Sequence, residues 1–237
     1  MILQDVRFIG VFTAFSIIIF AFLFMAYKIL HRDKKRLNII FTGFFFSVSI
    51  GLILNLIYYP LRDKTVVTVL NTGTNAFVIF GIIFLVVMEL IILKSEKVIT
   101  PNKQILIILI YGALDSVLFI FLAIPGWGVT INDSTDWRPL WSLPYFIYAI
   151  TIFGIAVILM LYYSVLIDKQ FKEPQLKRRW KFFQLGLVLL LCFTYGVFIS
   201  NYLDILIIRN IVSLSGILLA VVGGYLIYYG VGRQLEK

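Results

Sequence analysis

Seven stretches of this chain are each long and apolar enough to cross a bilayer, and they fill nearly all of its 237 residues. They run over residues 8–30, 37–59, 69–93, 104–124, 140–167, 182–203 and 205–231. A crossing needs about 20 mostly apolar residues to span roughly 30 Å of hydrocarbon. The apolar fraction, 61%, stands well above the roughly 45–50% of soluble domains, so a water-soluble fold would have to expose several apolar helices. The predicted fold is all-α: one polytopic seven-transmembrane-helix bundle. The first stretch is longer than the apolar core of a cleaved signal peptide and has no basic segment before it, so it reads as a mature helix. The connecting segments leave no stretch long enough for a soluble catalytic domain, and the expected protein is non-enzymatic.

Charge gives the bundle a direction. Of 21 Lys and Arg, sixteen fall at one end: Lys28, Arg32, Lys34, Lys35 and Arg36 after span 1; Lys94, Lys97 and Lys103 after span 3; Lys169, Lys172, Lys177, Arg178, Arg179 and Lys181 after span 5; and Arg233 and Lys237 in the tail. The other end holds Arg7, Arg62, Lys64, Arg138 and Arg209, balanced by Asp5, Asp63, Asp133, Asp136 and Asp204. Cytoplasmic loops are enriched in Lys and Arg. The N-terminus is therefore expected outside and the C-terminus in the cytoplasm, in a multi-pass protein of the cell (plasma) membrane. The net charge of +9 belongs to the cytoplasmic rim, where it attracts anionic lipid headgroups and does not imply nucleic acid. Lys34, Lys35, Arg36, Lys177, Arg178 and Arg179 are the expected contacts to such lipids or to a cytoplasmic signalling partner. Trp127, Trp137 and Trp141 at the outer side and Trp180 at the inner side read as headgroup-level anchors.

The segment 125–139 is rich in Gly, Pro, Asn and Asp, which predicts turns rather than helix or strand. It carries an N-x-S sequon at Asn132. Glu173-Pro174 breaks any helix running on from span 5, leaving a loop over 168–181. In span 2, Gly43, Ser47, Gly51 and Asn55 recur every four residues; span 7 carries Ser213, Gly216, Ala220 and Gly224. Small residues at this interval let helix backbones approach closely in lipid, within one bundle or across a homodimer. Cys192 reads as a small core-packing residue of span 6.

Polar groups inside the spans are where a function would sit, because ionisable side chains in hydrocarbon are costly and usually face a partner or cavity. Asp115 lies in the middle of span 4, in YGALDSVLF, one turn after Tyr111. It is a candidate proton-linked switch, a ligand counter-ion, or a protonated carboxyl bonded to a neighbouring helix. Glu89 is expected to snorkel or to pair with Lys94. In the outer half, Asn55, Asn71, Thr74, Asn75, Asn201, Asp204, Arg209 and Asn210 accumulate, with Asp204 and Arg209 placed to form an ion pair. If spans 2, 3, 6 and 7 adjoin, these groups line an outward-facing pocket for a small or lipidic ligand.

Several chemistries are excluded. His31 is the only histidine, so bis-His haem and His-based metal sites are ruled out; no cofactor is expected. Span 7 has no lysine for a retinal Schiff base. Spans 2, 3, 4, 6 and 7 contain no proline, and the broken helices of many transporters are not expected. The G-protein-coupled receptor pattern is missing too: LKSEK stands where an Asp-Arg-Tyr would be, and span 7 has no Asn-Pro-x-x-Tyr. The spacing of the spans, WRPLW at the start of span 5 and LKRRWKFFQLGL leading into span 6 resemble the seven-helix sensor regions of some prokaryotic histidine kinases. The resemblance implies a sensor or receptor. The GRQLEK after span 7 carries neither coiled coil nor kinase, so the signal would pass to a separate partner. Two other classes remain open: a small-solute or proton-coupled transporter using Asp115, and a structural subunit of a larger membrane complex.

Overall fold

A computed structural model describes residues 2–32 and 34–231, with residues 2–11 as backbone only. Of the charges that predict orientation, the side chains of Asp5 and Arg7, and residues Arg233 and Lys237, lie outside the described residues. Seven helices in the described chain are long and apolar enough to cross a membrane, and the protein is a multi-pass membrane bundle. The helices are α1 (Ile2–Arg32), α2 (Arg36–Tyr58), α3 (Lys64–Lys94), α4 (Pro101–Ser116), the short α5 (Ile120–Ala123), α6 (Leu143–Gln170), α7 (Pro174–Leu203) and α8 (Leu206–Val231).

Local chemistry sets the boundaries. Asp63 caps α3 by accepting from the Val66 amide at 2.8 Å, satisfying one of the free N–H groups of the first turn. Proline at the first turn starts α4 and α7, where its missing N–H costs nothing. α7 thus begins at Pro174, and the expected loop over 168–181 shrinks to the three residues after Gln170. Lys177, Arg178, Arg179 and Lys181 ride on the first two turns of α7. His31, the only histidine, belongs to the last turn of α1.

Two elements differ from the sequence expectation in kind. The fourth crossing is a composite: α4, a 3-10 turn over Val117–Phe119, then α5. No proline causes the change. The Ser116 hydroxyl donates back to the Ala113 carbonyl at 2.7 Å, a bond that competes with regular helix at the turn where it tightens. The 125–139 segment is not turns alone. Val129–Thr130 (β1) pairs antiparallel with Leu140–Trp141 (β2), and the fifth span starts at Leu143 behind the Ser142 cap rather than at residue 140.

Packing arranges α1, α2, α3, α6, α7 and α8 as a closed ring, each touching the next, while α4 lies outside against α3. The end carrying the 125–139 hairpin is called the hairpin end below, and the opposite one the basic end. The small-residue faces are consumed inside this ring. A Cβ on Gly51 would sit 2.8 Å from the Thr74 carbonyl oxygen, and one on Gly224 would sit 2.5 Å from Phe22. Ser47 donates to the Phe77 carbonyl at 2.7 Å, tying α2 to α3.

Three aromatic and thiol placements overturn the sequence reading. Trp180 is buried and donates its indole N–H to the Ser164 carbonyl at 2.9 Å. Trp141 is also buried, packed on Tyr145 and Phe198. Both serve as core rather than as headgroup anchors, because each ring finds an inter-helix slot. Cys192 faces outward on α7 and is not a core residue.

Candidate functional site

The ring encloses a cavity of about 570 Å³ at the hairpin end. Asn55 on α2, Asn71 and Asn75 on α3, Asn201 on α7, and Arg209 and Asn210 on α8 all line it. With Thr74 on α3, seven of the polar residues singled out from sequence therefore meet at one space, although α2–α3 and α7–α8 form two pairs facing each other rather than one block. Asp204 stands behind the wall: its carboxylate lies 2.9 Å from Arg209 Nε as an ion pair. This ion pair follows from the tight α7–α8 connection, where Asp204 takes a left-handed conformation (φ 51°) and α8 begins two residues later.

Tyr58, which the sequence did not single out, is the hub of the polar wall. Its hydroxyl oxygen accepts from Asn55 Nδ2 at 3.0 Å and from Asn71 Nδ2 at 2.7 Å. Asn75 in turn donates to the Asn71 carbonyl at 2.9 Å. Tyr58 lies one turn beyond Asn55, on a neighbouring helix position, and that spacing was the available signal. The hairpin supplies the rest of the lid: Trp137, Arg138 and Pro139 also line the cavity. Arg209 Nη2 donates to the Pro139 carbonyl at 2.7 Å, so the hairpin is anchored to α8. Arg62 stacks over the Trp137 ring at 5.1 Å, and Trp137 Nε1 donates to Asp133 at 2.9 Å. The Asn132 side chain is occupied as a turn cap, accepting from the Ser134 amide at 3.0 Å.

Asp115 and Tyr111 are not part of this cavity. They lie on α4, buried against α3 and α6 outside the ring. The Tyr111 hydroxyl sits 3.2 Å from the Ile152 carbonyl oxygen, and Tyr148 donates to the Leu114 carbonyl at 2.6 Å. Asp115 is enclosed by this tyrosine-lined interface, and its Oδ1 has no hydrogen-bond partner. Glu89 departs further from expectation. Fully buried on α3, it neither snorkels nor reaches Lys94; Ser164 is beside it, yet neither oxygen completes a hydrogen bond of ordinary geometry.

At the basic end, Arg36 is engaged within the protein. Its Nη2 donates to the Glu96 carbonyl at 2.7 Å and lies 3.7 Å from the Glu96 carboxylate, which ties the first basic connection to the second. Lys34, Lys35, Lys177 and Arg178 are exposed and Arg179 is half-buried. No cluster of three or more metal-ligating side chains occurs among the described residues. No family model matches the chain, and no curated protein is significantly similar to it.

Proposed function

We propose that this protein is a sensor- or receptor-like membrane protein, non-enzymatic, that binds a small or lipidic ligand in the hairpin-end cavity and relays occupancy to a separate partner. The observation that carries the reading is the convergence of five asparagines, two arginines and Tyr58, from opposite sides of a closed ring and from its hairpin, onto one space. Pockets of roughly 300–1,000 Å³ with apolar walls and a few convergent polar groups are the usual form of small-ligand sites. The charge bias places the hairpin end outside and the basic end in the cytoplasm of a plasma membrane. Exposed Lys34, Lys35, Lys177 and Arg178 would there meet anionic lipid and the relay partner. The resemblance of WRPLW and LKRRWKFFQLGL to kinase-linked sensor regions agrees with this reading, and both segments now have positions: the first borders the cavity and the second opens α7.

The test is equilibrium binding of a solvatochromic apolar dye to purified protein. Asn55→Leu with Asn201→Leu is expected to weaken dye binding while the protein still folds, with a melting temperature lowered only by the loss of the Tyr58 and Arg209 hydrogen bonds; undiminished binding in the double variant would refute the site.

One observation favours a second reading, proton-coupled transport. Asp115 is buried with an unpartnered oxygen beside the one 3-10 break among the membrane-crossing helices described. Asp115→Asn in proteoliposomes loaded with a pH dye decides it: flux equal to that of the unsubstituted protein removes Asp115 from any transport cycle. Assembly into a larger complex, or a homodimer, through the small-residue faces of α2 and α8 loses its main support, since those faces are covered inside the ring.

A further inference from the structure

The hairpin-end cavity continues inward. A second cavity of about 70 Å³ shares Ile18, Leu52, Val78, Phe193 and Thr194 with it and extends among Phe22, Phe44, Met160 and Leu187 toward the basic end. Thr194 is the one polar side chain lining this shaft, and its hydroxyl is already used, donating to the Leu190 carbonyl at 2.9 Å. The shaft thus offers nothing to water or to a polar ligand. Apolar cavities of this kind stay dry and accept hydrocarbon.

The upper cavity also has a side opening. Leu206, Asn210 and Leu214 recur every four residues along α8, line the cavity, and are exposed on the bundle surface, Leu214 by 82%. Eight residues of helix cover about 12 Å, so this mouth runs from the end of α8 well into the depth of one leaflet. It opens toward lipid tails rather than only toward water. Deeper down, α8 closes on α1 through the Gly224–Phe22 contact, which limits the gap to the hairpin half.

Charge narrows the head group. The charged residues lining the cavity are Arg138 and Arg209, and each is paired, Arg138 with Asp136 at 2.6 Å and Arg209 with Asp204 at 2.9 Å. An anionic head would have to compete with a carboxylate already in contact; a cationic one would meet two guanidinium groups. The hydrogen bonds of the wall use Asn55 Nδ2 and Asn201 Oδ1, which leaves the Asn55 oxygen, the Asn201 amide N–H and the Asn210 amide to serve an uncharged polar group.

Resting on the cavity reading above, we infer that the ligand is a neutral, single-chain amphiphile of the outer leaflet, entering between α1 and α8, with its hydroxyl- or carbonyl-bearing head at the asparagines and its chain in the apolar shaft. The experiment is photolabelling of the full chain in nanodiscs with two monoacylglycerols, one carrying a diazirine at the chain terminus and one near the glycerol. Peptide mapping is expected to place the terminal label on shaft residues such as Met160 and Leu187, and the glycerol-proximal label on the asparagine wall. Val78→Phe, at the junction, should abolish the shaft label and keep the wall label. An excess of neutral monoacylglycerol should suppress both labels, and an equal excess of lysophosphatidate should suppress neither. Terminal label confined to the outer faces of the helices, with wall labelling intact, overturns the chain assignment but leaves the cavity as a ligand site. Competition by lysophosphatidate overturns the neutral head. Absence of wall labelling from either probe overturns the binding-site reading itself.

Discussion

At the scale of single residues, the polar groups fall into two kinds. Arg209 is a structural clamp: it joins Asp204, Asn201 and the Pro139 carbonyl and so holds the hairpin on α8. Hydrogen bonds to charged groups contribute about 1.5–3 kcal/mol each, discounted here because Asp204 is more than a third exposed. Arg209→Gln should therefore lower stability by about 1–3 kcal/mol, read as an earlier melting transition in detergent followed by tryptophan fluorescence. An unshifted transition would show that the clamp carries no load. Glu89 is the opposite case, buried with no completed hydrogen bond. Replacing an unsatisfied buried polar group by an apolar one of similar shape is neutral or stabilising. Glu89→Met is thus expected to melt at the same temperature or higher, and a lower transition would mean that the carboxylate has a structural partner. Sequence reading found the asparagines because polar groups stand out within apolar spans, and the Asp204–Arg209 pair because the two are close along the chain across a tight connection. It missed Tyr58 as the hub and misjudged Glu89, since whether a polar side chain is satisfied depends on atoms from other helices.

At the scale of elements, helix contacts are set by backbone approach. A Cβ on Gly186 would lie 2.6 Å from the Gly223 carbonyl oxygen and 2.8 Å from the Ile227 amide nitrogen, both backbone atoms that cannot swing away. Gly154, by contrast, would meet nothing closer than the Tyr195 hydroxyl at 3.6 Å. Gly186→Ala should destabilise by about 1–3 kcal/mol through overpacking. Gly154→Ala should be neutral or stabilise by up to about 1 kcal/mol through helix propensity. Melting of the two variants side by side checks the pair, and equal shifts would contradict the close α7–α8 approach. Span positions were readable to within a few residues from hydropathy. The α4 break and the early start of α7 were not, because a competing Ser116 bond and a first-turn proline act below the level of an apolar window.

At the scale of the whole molecule, orientation has a direct consequence. With Cys192→Ser as background, Lys177→Cys should react with an impermeant maleimide only after the cells are permeabilised, and Ser134→Cys should react in intact cells. The reverse pattern would invert the bundle and move the cavity mouth to the cytoplasmic leaflet.

The amino-acid sequence by itself determined the class of this protein. Seven apolar lengths matched to hydrocarbon thickness leave helices as the way to satisfy the backbone in lipid, and the one-sided Lys and Arg bias predicts its direction. Which helices are neighbours was decided by tertiary structure alone. Lipid-facing and core-facing surfaces are equally apolar, so hydropathy cannot tell a ring helix from the peripheral α4. That same ambiguity hid the separation of Asp115 from the asparagine wall, and the shaft beneath it.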